Sequence, residues 1–119
     1  MNAFFSKAIV LLLIFIGEGI AIYAEIFGAK RYTIINETFL GTFLQMLIII
    51  MAGSALLICG YMLGYRTFKN IWIVSATSIT SILIIEPTIN YALFHELPTR
   101  GSLVGLIFGF LGIVATLSL

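Results

Sequence analysis

The chain has 119 residues, of which 61% are hydrophobic and 9% charged, and its formal net charge is +1. A soluble domain carries about 25% charged residues, so this chain cannot cover a surface that faces water, and its mean hydropathy of +1.19 agrees. These values exclude a soluble enzyme, a nucleic-acid-binding protein and a disordered chain, and they leave an integral membrane protein of one domain.

Four apolar runs predict four transmembrane helices, at about residues 8–28, 39–63, 71–94 and 101–119. Each run is long enough, because a span needs roughly 20 residues. The runs are unbroken rather than alternating, which argues against barrel strands. The predicted fold class is therefore an all-α integral membrane protein, a four-transmembrane-helix bundle that forms a single domain over residues 1–119. The short connections make each helix antiparallel to the next.

The first span contains two carboxyl groups, those of Glu18 and Glu25. Their spacing of seven residues places them about 20° apart on one face of a helix. An ionised carboxylate inside a bilayer costs several kcal/mol, so it usually faces a cavity or a partner and is functional. We therefore predict that Glu18 or Glu25 exchanges a proton for a cationic substrate.

Three other interpretations of this span stay open. A cleaved signal peptide competes with the transmembrane helix, although the two glutamates and the lack of a small-x-small cleavage site argue against it. One glutamate can instead form a hydrogen bond with another helix. Glu25 can also reach the membrane rim, where Lys30 and Arg31 close the span.

The second span is almost purely apolar, and the third carries another embedded acid, Glu86, directly before Pro87. Proline removes a backbone donor, so we expect a kink that frees backbone carbonyls for a cavity. Glu86 either lines a substrate path there, or lies near the interface and pairs with Arg100. Asn90 and Tyr91 follow one turn later, and we predict that both belong to the same cavity.

The fourth span carries Gly101, Gly105 and Gly109, spaced by four, and then Gly112. Small residues at this spacing let helix backbones approach closely, so we predict a dimer interface or a helix-packing face. A bundle of four helices leaves little space for a path inside itself, and a path is more easily built between two copies. We therefore expect a dimer in which the fourth helix is the main packing element and the first three line the cavity.

The sequence carries no pattern typical of a catalytic or metal site. A single histidine, His95, is not a metal site, and no Cys/His cluster, nucleophile–base pair or glycine-rich phosphate loop is visible. We therefore expect no enzymatic activity, no metal and no cofactor.

The charges that set membrane orientation are balanced. Orientation follows the Lys and Arg residues of the flanks and short loops. Three of them fall on each side: Lys7, Arg66 and Lys69 against Lys30, Arg31 and Arg100. Two outcomes stay open. The chain inserts both ways and pairs as an antiparallel dimer, or the translocon or a partner selects one orientation.

Two stretches carry a family resemblance. Residues 24–28 read A-E-I-F-G, and Glu96, Thr99, Gly105 and Gly112 follow in the last loop and helix. The second set resembles the E, T, G and G that the drug/metabolite transporter superfamily places there. The first is similar to the A-E-x-x-G of helix 1 in its small multidrug resistance branch, the EmrE-like proteins. Four spans in about this length also match that branch.

The resemblance implies a four-helix transporter of the cell (inner or plasma) membrane. It implies that the glutamate of the helix 1 motif, here Glu25, is the site where proton and cation compete, whereas Glu18 is the better candidate by depth. Helix 3 departs from the multidrug pattern, because Trp72 lies too early and Glu86-Pro87 has no counterpart. Other small relatives in the superfamily move polyprenyl-phosphate-linked sugars, often as pairs of unlike subunits.

Three functions follow as hypotheses. The first is proton-coupled export of small organic cations, by a homodimer or a pair with a similar four-helix subunit. The second is a subunit of a flippase or transporter for a polyprenyl-phosphate-linked sugar or other lipid-linked substrate, with its phosphate near Lys30, Arg31 and Arg100. The third is a non-transporting structural or regulatory membrane protein that packs through its glycine face. Membrane lipids are partners in each case, and no nucleic acid is expected at a net charge of +1.

Overall fold

The computed structural model describes residues 3–34 and 36–119. Within them the chain forms four α-helices: α1 (Ala3–Arg31), α2 (Phe39–Phe68), α3 (Ile71–Phe94) and α4 (Arg100–Ser118). All four are long and apolar enough to cross a membrane. The prediction of an all-helical chain with four helices capable of spanning a membrane is therefore confirmed for the described residues.

Two helices are longer than the apolar runs from which they were predicted. α1 begins at Ala3 and continues to Arg31, and α2 continues to Phe68, whereas the apolar runs end at about residues 28 and 63. The bounds of α3 agree with the prediction, and α4 starts one residue early, at Arg100. The added turns carry basic residues whose long side chains can reach the headgroups while their stems stay in apolar surroundings.

Side-chain caps define where α2, α3 and α4 begin. The N-cap residues Thr38, Asn70 and Thr99 each accept a hydrogen bond from a backbone N–H of the first turn. α2 and α3 end at Lys69 and His95, which both adopt the left-handed backbone conformation with φ of 57°. Such a residue closes a helix and redirects the chain, so that consecutive helices reverse direction through short connections.

Glycines let α1 and α2 pack at backbone distance. A Cβ on Gly53 would lie 3.0 Å from the carbonyl oxygen of Gly17 and 3.1 Å from the backbone nitrogen of Ala21. The close approach extends along both helices, because Gly60 lies against Ile14, two turns further along α2. The close α1–α2 contact thus depends on glycines, which have no side chain, as is typical of membrane helix pairs.

α3 packs against α1 and runs in the same direction. Two clusters of buried apolar side chains join the two helices: Val10, Ile14 and Val74, and then Ile22, Ile26 and Ile85. Gly64 of α2 also lies against Val74, so the first three helices meet at the first cluster. This three-helix arrangement positions the side chains of α1 that carry charge.

α4 lies at the edge of the molecule. Among the described residues it contacts only α3, and of its own residues Ile113 is buried. Phe108 and Leu111 are more than half exposed. The Cα positions extend over 51 × 33 × 17 Å, which is a slab about two helices deep, since a helix with its side chains is ~10 Å across.

Candidate functional site

Glu18 lies near the middle of α1 and contacts α3. It is eleven residues from Lys7 and twelve from Lys30, which places it about 16–18 Å along the helix from each basic flank. Its side chain is half-buried, and its Oε1 accepts a hydrogen bond from the hydroxyl of Ser78. Ser78 is only 5% exposed. A carboxyl group at mid-span is therefore held by a buried hydroxyl of the neighbouring helix.

Three other hydroxyls of this part of α3 bond to their own helix. Thr77, Thr80 and Ser81 each donate to the backbone carbonyl four residues earlier, at 2.7–3.0 Å. This back-bond is the common option for a helical Ser or Thr. Ser78 differs from these three neighbours because its hydroxyl donates to Glu18 of α1.

Glu25 lies on the same face of α1 as Glu18 but two turns nearer the C-terminal end, where it is exposed. It forms no hydrogen bond or ion pair with a described residue. The expected alternative of a rim contact with Lys30 or Arg31 is not formed, because both cations have other partners. Since α3 covers Glu18 but not Glu25, the face that bears both acids is closed at mid-helix and open toward Lys30.

Lys30 and Arg31, at the C-terminal end of α1, form polar contacts with α3, α2 and the connection before α2. The Lys30 ammonium donates to the carbonyl oxygen of Leu93 at 2.6 Å, in the last turn of α3, where carbonyls lack helical partners. Arg31 donates to the side-chain oxygen of Gln45 and forms an ion pair with Glu37, with 3.2 Å between Nε and Oε1. Two of the three cations considered for a lipid phosphate are thus already bound within the chain.

A cavity of about 630 Å³ lies between the second half of α3, the connection after it and the first half of α4. Its polar lining consists of the side chains of Glu86, Asn90, Glu96, Thr99 and Ser102. No Lys, Arg or His stands among its described lining residues. The structure therefore brings the predicted pair Glu86 and Asn90 into one cavity and adds a second carboxyl group from the loop.

Tyr91 lies outside this cavity. It is 54% exposed, and its ring meets the His95 ring edge to face, with 6.2 Å between centroids. Its neighbour Asn90 lines the cavity because successive residues of a helix point about 100° apart.

Pro87 leaves α3 continuous but removes one of its hydrogen bonds. The helix runs through Pro87, and because proline has no N–H, the carbonyl of Leu83 lacks its donor four residues on. Leu83 and Pro87 both line the cavity. Glu86 also lines it and forms no ion pair with Arg100. Its expected place on a substrate path stays a prediction.

Glu18 and the cavity lie on different faces of α3. Glu86 is eight residues beyond Ser78, which places it about 12 Å along the helix and about 80° around it. None of the described lining residues of the cavity belongs to α1 or α2, and α4 forms one of its walls. Within one chain, the embedded acids thus occupy separate positions. The cavity that helices 1 to 3 are expected to line in a dimer stays a prediction.

The glycines of α4 are mostly uncovered. A Cβ on Gly109 would lie 3.2 Å from Leu83 of α3, whereas a Cβ on Gly101, Gly105 or Gly112 would meet no atom within 4 Å. We refer to these last three residues as the α4 glycine stripe. Within one chain no atom lies against the stripe, although Gly105 lines the α3–α4 cavity, so its predicted role as a dimer interface stays a prediction.

Two features were not singled out from the sequence. Gly53, Gly60 and Gly64 of α2 lie on one helical face by their spacing, and that spacing was a usable signal for the α1–α2 interface. Ser78 was visible only as one of several hydroxyls in α3. Its contact with Glu18 depends on the register between two helices that are far apart in sequence, and no local pattern encodes that register.

A scan against protein-family models found no match, and neither a search of curated proteins nor a search of solved structures found a significant one. Function is therefore inferred from the positions of this chain's own side chains, together with the short motifs at residues 24–28 and in the last loop and helix.

Proposed function

We propose that this chain is a small secondary transporter that exports small organic cations in exchange for protons through a membrane-embedded glutamate. The observation that carries the proposal is the α3–α4 cavity, whose lining includes the carboxyl groups of Glu86 and Glu96 and no Lys or Arg among its described residues. The N-terminus of α4 contributes roughly half a positive charge nearby, which does not offset two ionised carboxylates. The cavity therefore favours a cation.

Glu18 supplies the proton exchange in this proposal. A carboxyl group binds either a proton or a cation with its single negative charge, so the cation displaces the proton when it moves from the α3–α4 cavity to Glu18. The mid-helix position of Glu18, its partial burial and its bond to Ser78 support it over Glu25, which the family motif favours. Polar groups held inside a membrane in this way mark ion and proton paths in other transporters.

A second copy, or a similar four-helix subunit, completes the path in this proposal. A slab 17 Å deep does not enclose a path for a substrate. The open α4 glycine stripe is suited to close contact with another helix. The balance of three basic residues on each side is compatible with antiparallel pairing. Residence in the cell membrane and membership of the small multidrug resistance branch belong to the same proposal, and the two short motifs support them.

The lipid-linked alternative has weaker support from the site. A phosphate group needs free cations, but Lys30 and Arg31 are bound to Leu93, Gln45 and Glu37. The carboxyl groups of the α3–α4 cavity also repel an anion. A purely structural role leaves the embedded acids Glu18 and Glu86 without a purpose, because packing alone does not need them.

The test is proton release from detergent-solubilised protein on addition of a panel of small organic cations. We expect the wild type to release protons with at least one cation. Glu18→Gln abolishes release, and Glu86→Gln weakens cation binding by about tenfold, as expected when one charge-assisted contact is lost. Glu25→Gln is the matched control on the same face of α1 and behaves as the wild type.

Two results contradict this assignment. Loss of release in Glu25→Gln alone transfers the coupling role from Glu18 to Glu25. Absence of release with every cation, from protein that stays folded, rejects the exporter. Vesicles that contain a fluorescent polyprenyl-phosphate sugar then test the lipid-linked alternative by movement of the label between leaflets.

A further inference from the structure

We propose that Ser78 is the positioning residue for the coupling carboxyl, and that its hydroxyl holds Glu18 in the orientation from which a proton is exchanged. This inference rests on the proposed transport function. It goes beyond that function because it names a group on α3, absent from both family motifs, that orients the coupling carboxyl.

Ser78 uses a different hydrogen-bond acceptor from its neighbours. Thr77, Thr80 and Ser81 all donate to carbonyls of α3 itself. The same option exists for Ser78 at the carbonyl of Val74, four residues earlier. Ser78 donates to Glu18 instead. A carboxylate is the stronger acceptor, because charge-assisted hydrogen bonds are about twice as strong as neutral ones.

The contact between Ser78 and Glu18 is shielded on the side of α3. Ser78 is 5% exposed, so water does not compete well for its hydroxyl. The other titratable groups of these three helices are Lys7, Tyr23, Glu25, Lys30 and Arg31 on α1, Cys59, Tyr61, Tyr65 and Arg66 on α2, and Glu86 and Tyr91 on α3.

None of these groups bonds to Glu18. Glu25 lies seven residues from it along α1, and Glu86 lies eight residues beyond Ser78 along α3. At the level of Glu18, α2 presents Gly53 to the neighbouring Gly17. The hydroxyl of Ser78 is thus the polar contact that the described residues provide to Glu18.

The hydrogen bond from Ser78 is stronger for one state of the carboxyl group than for the other. A hydroxyl that donates to a carboxylate stabilises the ionised form relative to the protonated one. When a proton reaches Glu18, the hydroxyl can turn to the carbonyl of Val74 without leaving α3. The pair Glu18–Ser78 then has two arrangements, one for each state of the exchange cycle.

The experiment compares Ser78→Ala with Ser81→Ala in the cation-driven proton release assay, over a range of cation concentrations. Loss of the Ser78 hydroxyl removes a hydrogen bond from the carboxylate that remains when the proton leaves, so half-maximal release requires about tenfold more cation, the change expected when one hydrogen bond to a charged group is lost. Ser81 is equally buried but bonds within α3, so its variant shows the wild-type profile.

Two further variants separate positioning from general damage to the fold. Ser78→Thr keeps the donor, and we expect a wild-type profile. Ser78→Cys keeps the size but has a weak donor, and we expect a shift in the same direction as for Ser78→Ala. Infrared difference spectra of the same proteins provide a readout that does not depend on transport. The carboxylate band assigned to Glu18 by Glu18→Gln, which reports the state in which Ser78 donates to it, changes its position in Ser78→Ala and not in Ser81→Ala.

The outcomes distinguish this inference from the proposed function. Proton release by the wild type, with identical profiles for Ser78→Ala and Ser81→Ala, overturns the positioning role and leaves the exporter standing. Full release by Glu18→Gln does the same. An infrared band that is unchanged in Ser78→Ala overturns the inference whether or not transport is found, and absence of release from the wild type overturns both proposals.

Discussion

At Gly53 the space that a side chain would occupy is filled by the backbone of α1. A Cβ there would lie 3.0 Å from the Gly17 carbonyl oxygen and 3.1 Å from the Ala21 nitrogen. Backbone atoms in a packed helix cannot move aside as the end of a flexible side chain can. We therefore expect Gly53→Ala to destabilise the protein by about 1–3 kcal/mol, the usual cost of overpacking, in a detergent denaturation series.

Gly19 provides the control for this change, since it is also a helical glycine. A Cβ there would lie 3.7 Å from the Cδ1 of Ile85, which is ordinary van der Waals contact. Gly19→Ala should leave stability unchanged or raise it slightly, because alanine is the better helix former. Equal stability losses for Gly19→Ala and Gly53→Ala would contradict the close α1–α2 approach.

Residues that share a helix were the easier part of the site to predict. Glu86 and Asn90 are four residues apart, so helix geometry alone places them on one side of α3, and both line the cavity. Glu18 was identified from the cost of a charge in a bilayer, but its partner Ser78 was not. That contact depends on how two helices slide past each other, which is decided by packing at Val10, Ile14 and Val74 rather than by any local motif.

At the scale of a helix, the residue that caps the C-terminal end of α2 adopts a backbone conformation that its residue type does not favour. Lys69 closes the helix with φ of 57° and ψ of 26°, a conformation that costs a residue with a Cβ about 1–2 kcal/mol but that glycine adopts freely. We expect Lys69→Gly to raise stability by up to about 1 kcal/mol, because the greater flexibility of glycine in the unfolded chain offsets part of the gain.

A second variant distinguishes the effect of the Lys69 charge from the effect of its backbone conformation. Lys69→Ala removes the ammonium group but keeps the Cβ, so it should not gain stability. The melting temperatures of both variants in the same detergent check this expectation. A gain of equal size in Lys69→Ala would show that the charge, and not the left-handed backbone, limits the end of α2.

The existence of the helices followed from composition, whereas their ends did not. Runs of apolar residues predicted all four helices and the full bounds of α3. The ends of α1 and α2 lie beyond those runs because a helix does not stop where hydropathy falls. It stops where a capping residue takes over its last hydrogen bonds, and Lys69 is not a typical cap by sequence.

For the whole molecule, the position of α4 is the feature with the clearest consequence for assembly. Among the described residues α4 contacts only α3, and Gly112 has open space around its backbone. If a second copy packs there, Gly112→Ile should weaken self-association by at least about tenfold, or ~1.4 kcal/mol, and leave the fold of each copy intact. Energy transfer between labelled copies in lipid vesicles measures this directly.

Leu111 is the matched control for Gly112, because it is the adjacent residue on the same helix and is 54% exposed. Leu111→Ile keeps the volume and should leave association unchanged. If both variants associate as the wild type does, the α4 glycine stripe is not the contact surface. The spacing of the glycines predicted a packing face, but it could not reveal that the face is left open within one chain, since this depends on where α3 positions the whole of α4.

The helices differ in length, so they fit a bilayer of a given thickness to different degrees. α1 and α2 have 29 and 30 residues and are about 44–45 Å long, whereas α4 has 19 residues and is about 28 Å long. A hydrocarbon layer of ~30 Å accepts α4 upright, whereas α1 and α2 extend beyond it, so they tilt or place their basic ends among the headgroups. Their glycine contact makes α1 and α2 tilt together, while α4 packs on α3. We therefore expect a change in membrane thickness to alter the angle between the pair and α4, and with it the width of the α3–α4 cavity.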